Sequence, residues 1–243
     1  MSETPPAGRP PVLIGCSHGT DDHDGRAAVR SILADVVTLR PDLDVREAFV
    51  DVQTPAVGDV VTEVVAAGGE AVVVPLLLSV GFHVSVDVSK AVDLPGARAA
   101  APLGPDASLV EILADRLDEV GLTADDAVVL AAAGSRDPSA AVAVQEVAAA
   151  LAALLDRHVG PPDERGPGLV VGYGAGAQPR VPDAVRLARG DDDRRVVVAS
   201  YLLAPGYFLD RVLEAGADIV CAPLAPDRRL AHLALRRFAA ALD

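Results

Sequence analysis

The sequence predicts an α/β fold of two similar domains, each a doubly wound, mainly parallel four-stranded sheet flanked by helices. Three observations predict it. Segments rich in β-branched residues alternate with alanine-rich helical stretches along the whole chain, the pattern of a parallel sheet covered by helices. The alternation is interrupted once, by the polar, turn-like VGLTADDA at residues 120–127. Three loops of the first half also share residues with three loops of the second, a correspondence that periodicity alone does not produce.

In the first half, the apolar run PVLIGCS predicts a buried strand over 11–17, and the amphipathic stretch after Asp21, Asp22 predicts a helix over 24–39. VREAFV marks a strand within 44–50. The valine-rich segment beyond Pro55 gives a helix over 56–67, and AVVVPLLL gives the most apolar strand, 70–78. A short helix at 84–92, a strand at 97–102 and a helix at 106–120 complete the unit. The second half repeats the plan, with strands at 126–132, 168–174, 194–203 and 217–222 and helices at 139–157, 180–189, 207–215 and 227–241. The predicted organisation is a flexible N-terminal tail over 1–10, a first domain over 11–122 and a second over 123–243.

With 243 residues, 51% hydrophobic and 23% charged, the chain can bury a large core as one large or two small domains. Ala71 to Leu78 is far shorter than a bilayer crossing, and MSETPPAGRPP lacks the basic and apolar regions of a signal peptide. No membrane partner is expected, and the expected location is cytoplasmic, as a monomer or homodimer. Cys16 and Cys221 lie in apolar runs and read as core residues. The 35 acidic and 21 basic residues give a net charge of −14 with no basic cluster, which argues against nucleic acid as a partner. An anionic substrate would need a local group of arginines to outweigh that field.

His18 and His83 each follow a predicted strand. In a sheet of order 2-1-3-4 those strands are neighbours, and ligands bind at the carboxyl ends where connections diverge. Asp51, after the second strand, falls on the other flank of the first. Two histidines and a carboxylate suit Fe²⁺, Co²⁺ or Ni²⁺, and imidazole also serves as a proton acceptor near neutral pH. Asp51 reads equally as the residue that starts the turn before Pro55. His23 reads as a helix cap or a flank of the site, and His158 and His232 as surface residues. HisGlyThr at 18–20 corresponds to AlaGlySer at 133–135, Pro55 to Pro179, and ValGlyPheHis at 80–83 to ProGlyTyrPhe at 205–208. Where the first half has His18 and His83, the second has Ala133 and Phe208, so the second half reads as a scaffold with a degenerate site.

PVLIGCSHGTDD, AFVDVQTP and above all VVVPLLLSVGFHVSVDV resemble the sirohydrochlorin chelatases, the class II chelatases of tetrapyrrole biosynthesis. The resemblance extends over nearly the whole chain. It implies two chelatase-like domains and the insertion of a divalent metal, iron or cobalt, into sirohydrochlorin without ATP, in sirohaem or cobalamin biosynthesis. His18 and His83 match the family's active-site histidines. Asp51 stands where the family usually has Glu, and AlaGlySerArgAsp at 133–137 resembles a HisGlySerArgAsp turn without its His. The expected partners are a tetrapyrrole and a divalent metal, with no prosthetic group. Arg26 and Arg136 are candidates for the substrate's carboxylates, with surface salt bridging the other reading. The competing function is a metal or tetrapyrrole carrier that binds without turnover. GlyTyrGlyAlaGlyAla at 172–177 departs from the spacing of a dinucleotide loop, and the absence of GxSxG argues against an α/β hydrolase.

Overall fold

The computed structural model describes residues 10–79 and 82–243, without the side chains of 82–85. The tail predicted over 1–10 lies, apart from Pro10, outside the described residues. The first sheet is built from β1 (Val12–Ser17), β2 (Val45–Phe49), β3 (Ala71–Pro75) and β4 (Ala97–Ala99). Its helices are α1 (His23–Leu39), α2 (Val57–Ala66), α3 (Phe82–Ala91) and α4 (Ala107–Glu119). The second comprises β5 (Ala127–Ala132), β6 (Leu169–Tyr173), β7 (Val196–Tyr201) and β8 (Ile219–Val220), with α5 (Pro138–Leu154), α6 (Val181–Arg189), α7 (Tyr207–Leu213) and α8 (Arg228–Ala240). The orders are β2-β1-β3-β4 and β6-β5-β7-β8, and the pairings are all parallel.

Each predicted element is present, and the differences lie at the ends. The strand predicted over 70–78 leaves the sheet after Pro75, which has no N–H to donate to the ladder. Leu76–Leu78 are thereby released to line a cleft. The edge strands β4 and β8 are shorter than predicted, three and two residues long.

Both faces of each sheet are buried, which is why the central strands are almost continuously apolar, with Ser17 and Ser200 the buried polar exceptions. Ile14 and Cys16 of β1 face outward onto α2 and α3, whereas Leu13, with Val72 and Val74 of β3, faces inward. Burial pushes the thiols of Cys16 and Cys221 up to about 12, so both are unreactive core residues. Between the sheets lie α1, α4, α5 and α8, and each starts at an Asp whose carboxylate caps the helix: Asp22, Asp106, Asp137 and Asp227.

The inner helices are exchanged. The last helix of the first half, α4, packs on α5 and β7, and the last helix of the second, α8, packs on α1 and β3. The inner core is therefore one cluster, running from Leu13 and Val72 through Leu109, Leu113, Leu230 and Leu233 to Leu130 and Val197. An ionic knot closes the exchange. The Asp106 carboxylate accepts from Ser108 N (3.0 Å), from Arg236 (2.9 Å) and from Arg237 (3.2 Å), and Arg237 also donates to the carbonyls of Pro102 and Leu103.

The internal repeat extends to single hydrogen bonds. Val50 N donates to Ser17 O (2.9 Å) and Asp51 N to His18 O (3.0 Å), and in the second half Gly174 N donates to Ala132 O (2.8 Å) and Ala175 N to Ala133 O (2.7 Å). Pro55 and Pro179 both follow cis peptide bonds, and their carbonyls accept from Phe49 N and Tyr173 N.

Candidate functional site

A cleft of about 900 Å³ opens between the sheets, at the upper end of the roughly 300–1,000 Å³ usual for small-molecule sites. Four loops line it: 17–20 after β1, 76–79 after β3, 132–138 after β5 and 202–208 after β7. These are the carboxyl ends of the two central strands of each sheet, where the topology places ligands. Val29 of α1, Val144 of α5 and the leucines 76–78, 202 and 203 make most of the wall apolar.

His18 is exposed on the first of these loops, and its ring has no hydrogen-bond partner among the described residues. The turn that carries it is held on all sides. Asp51 N binds the His18 carbonyl, the Gln53 side-chain oxygen accepts from Thr20 N (3.0 Å), and Arg26 Nε donates to Thr20 O (2.8 Å). Gly19 adopts φ +93°, where a Cβ would stand 2.3 Å from Asp51 O. Only glycine lets the turn lie that close to the loop after β2.

His83 lies in α3, but its side chain is outside the described residues. Asp51 is exposed and is not among the residues lining the cleft; its Oδ1 accepts from Val52 N (2.7 Å), the arrangement of a turn residue. Its link to His18 is through the backbone. Among the described residues no group of three His, Cys, Asp or Glu side chains is close enough to hold one ion.

The two arginines both line the cleft and differ in state. Arg26 is engaged with Thr20 O and, at 3.3 Å, with Asp21. Arg136 is exposed, with no hydrogen bond or ion pair among the described residues, and stands where the first half has Asp21. His23 pairs at the surface with Asp24 (3.3 Å), and the cap of α1 is Asp22.

Sequence reasoning missed Glu47, Gln53, Tyr201 and Tyr207, all of which line the cleft. Glu47 precedes Phe49 by two positions on β2, so strand alternation puts both on one face, a signal that was available. Arg30 holds its carboxylate through Nε at 3.2 and 3.1 Å. Tyr201 reaches across the halves, and its hydroxyl donates to Leu78 O (3.1 Å) in the loop after β3. Burial, then the Asp106 charge, pushes its phenol far up, so it remains a neutral donor.

The degenerate half has a physical form. Phe208 packs into the second outer core with Ala133, and a Cβ on Gly174 would meet its ring at 2.7 Å. The glycines of the 172–177 loop serve this packing: Gly174 admits the Phe208 ring and Gly176 admits the Ser135 backbone. That loop is not among the residues lining the cleft.

No helix among the described residues is long and apolar enough to cross a membrane. No curated protein matches the chain. Among solved structures it is similar in fold to SirB from Bacillus subtilis with Fe³⁺, with a TM-score of 0.76 and 18% identity over 93% of each chain. It is also similar to DR2241 from Deinococcus radiodurans, a multi-domain protein with structural similarity to chelatases and two additional domains, with a TM-score of 0.63 and 18% identity. That match covers 94% of this chain and 55% of DR2241. The family model for CbiX matches twice, over residues 12–120 and 127–241, one match on each sheet. With both repeats of the fold matched and their strand ends converging on one cleft, the chain belongs to the CbiX family, the class II tetrapyrrole chelatases.

Proposed function

We propose that this protein inserts a divalent metal, iron or cobalt, into sirohydrochlorin without ATP, in the cytoplasmic synthesis of sirohaem or cobalamin. The observation that carries the reading is His18, whose ring has no hydrogen-bond partner among the described residues, on an apolar cleft large enough for a macrocycle and provided with Arg136, an arginine likewise without a partner among them. In this reading residues 11–122 are the domain that supplies the histidines, and 123–243 the domain with the degenerate site. SirB, which shares the fold, is described with Fe³⁺, in keeping with iron as the substrate ion here.

Insertion exchanges two pyrrole N–H protons for one M²⁺, which must shed water as it enters the ring. His18 and His83 bind the ion weakly or accept those protons, with the metal at the carboxyl ends of β1 and β3. Asp51 acts on the same ion through water, because its carboxylate is held by its own turn and only its backbone N–H bonds to the His18 turn. Arg136 binds a ring carboxylate directly, while Arg26, already holding Thr20 O, does so with its remaining donors.

The test is an anaerobic absorbance assay with sirohydrochlorin and Fe²⁺, Co²⁺ or Ni²⁺, scored against the uncatalysed rate. His18→Ala and His83→Ala should each slow insertion by about 10²-fold or more, with binding of the metal-free ring kept within about threefold, since that rests on apolar area and carboxylate contacts. If the wild type binds the ring yet never exceeds the spontaneous rate with any metal, the protein is a carrier.

A further inference from the structure

In the second half the loop matching the His83 loop has lost its imidazole and acquired two adjacent aromatic rings. They do different things. Phe208 reaches from the cleft wall into the outer core beside Ala133 and Gly174. Tyr207 lines the cleft and is 66% exposed, in a chain with only three tyrosines and four phenylalanines. An aromatic left this open in a chain with so few is not needed to fill the core.

The ring is nevertheless held in a defined orientation. Phe208 meets it edge to face, with centroids 5.3 Å apart and planes at 77°. Arg211, one turn further along α7, lies over one face with its guanidinium carbon 5.3 Å from the centroid. The loop itself is pinned to the other half of the cleft, since the Pro205 carbonyl lies so close to Gly25 that a Cβ there would be 2.6 Å away. Gly206, at φ +138°, sits beside Thr20 and Asp22. A rigid loop of the second half thus holds an exposed ring near the turn that carries His18.

We propose that Tyr207 is the stacking platform for the flat face of the tetrapyrrole, with Arg211, which also binds Glu214 (3.2 Å), steadying the Tyr207 ring from behind. The inference rests on the tetrapyrrole reading above and adds a binding role for the half with the degenerate site. A planar conjugated ring offers a large π-face, and an aromatic held by its neighbours meets it with little loss of side-chain freedom.

The test is equilibrium binding without metal, followed by fluorescence of uroporphyrin I and by absorbance of sirohydrochlorin. Tyr207→Ala should raise the dissociation constant of both about tenfold, and Tyr207→Phe should stay within about twofold of wild type, because the ring and not the hydroxyl makes the contact. Thermal unfolding should be unchanged in both variants, as expected for an exposed side chain. If the wild type binds both rings and Tyr207→Ala binds them equally well, the platform is refuted while the tetrapyrrole reading stands. If Tyr207→Phe loses as much as Tyr207→Ala, the hydroxyl is the contact and stacking is refuted. If the wild type binds neither ring, both readings fall.

Discussion

Gly19 and Gly134 occupy matching turns under the same steric constraint, one beside His18 and the other beside Ala133, so a pair of identical substitutions separates folding from chemistry. Gly19 has φ +93° and Gly134 φ +81°, and a Cβ would stand 2.3 Å from Asp51 O in the first case and 2.0 Å from Ala175 O in the second. An L-residue in such a conformation costs about 1–2 kcal/mol. The clash with a backbone oxygen adds a comparable amount, giving about 2–4 kcal/mol for each substitution to alanine. For a chain of this length that corresponds to a melting temperature lower by roughly 4–16 °C, read by circular dichroism. Activity should then diverge. Relief of the Gly19→Ala clash displaces the His18 turn from the loop after β2, and a shift of about 1 Å in a reacting group costs on the order of 10² in rate. Gly134→Ala displaces a turn without a histidine and should keep kcat within about threefold, measured at a temperature where both variants are folded. Equal losses of kcat at equal folded fraction would refute the division of labour between the halves. Full activity in Gly19→Ala would refute the positioning of His18 by its turn.

Two further perturbations probe residues whose surroundings are on view. Asp51→Asn should slow metal insertion about tenfold, as expected of a group acting on the ion through water, and Asp51→Glu should retain most of the rate; wild-type rates in both Asp51→Asn and Asp51→Ala from pH 6 to 9 would leave Asp51 as a turn residue alone. Burial by itself would raise the Asp106 carboxyl, but Ser108 and the guanidinium groups of Arg236 and Arg237 hold it below its ordinary value. The stabilisation from a lowered carboxyl is complete above the unfolded value, near 3.9, and is lost as pH falls through the folded one. Asp106→Asn should therefore cost about 1–3 kcal/mol at pH 7 and give a flatter stability profile below about pH 4, followed by urea unfolding; parallel wild-type and variant profiles in acid would remove Asp106 from the linkage.

The order of both sheets was legible because the signals are local. Apolar runs such as AVVVP, Asp at helix starts and the recurrence of HisGlyThr as AlaGlySer fix element, boundary and repeat without knowledge of the rest of the chain. The exchange of α4 and α8 was not legible. Leu109, Leu113, Leu230 and Leu233 would be apolar whichever inner sheet face they covered, so their pattern does not say which half they join. In the cleft, His18 and Arg136 stood out by residue type at a strand end or repeat position. Glu47 shares a face with Phe49 by strand alternation, which the sequence shows, but that this face of β2 meets the cleft is visible only in the fold. Tyr207 and Phe208 both line the cleft, but only Phe208 also packs into the outer core, and that difference depends on how α7 sits on the second sheet.

The exchanged helices also account for a second half that persists without a histidine at either matching loop position. In a doubled fold where each repeat covered its own sheet, a half that lost its chemistry could be lost whole at little cost to the other. Here α8 covers β3, the strand that leads to the His83 loop, and Tyr201 holds Leu78 O in that loop. Removing the second half would strip an inner face from the first sheet and expose Val72 and Val74, which now have no accessible surface, at about 25 cal/mol per Å² of apolar area. The second half is thus fixed in place by packing, whatever its loops do. Its strand ends are free to change so long as the core behind them is kept, and the changes at Ala133, Arg136 and Tyr207–Phe208 all fall there, on the wall facing His18. Replacing Asp21 of one half by Arg136 of the other turns an acidic position into a cationic one within a chain of net charge −14. That is the local reversal of sign an anionic macrocycle needs in order to approach such a protein.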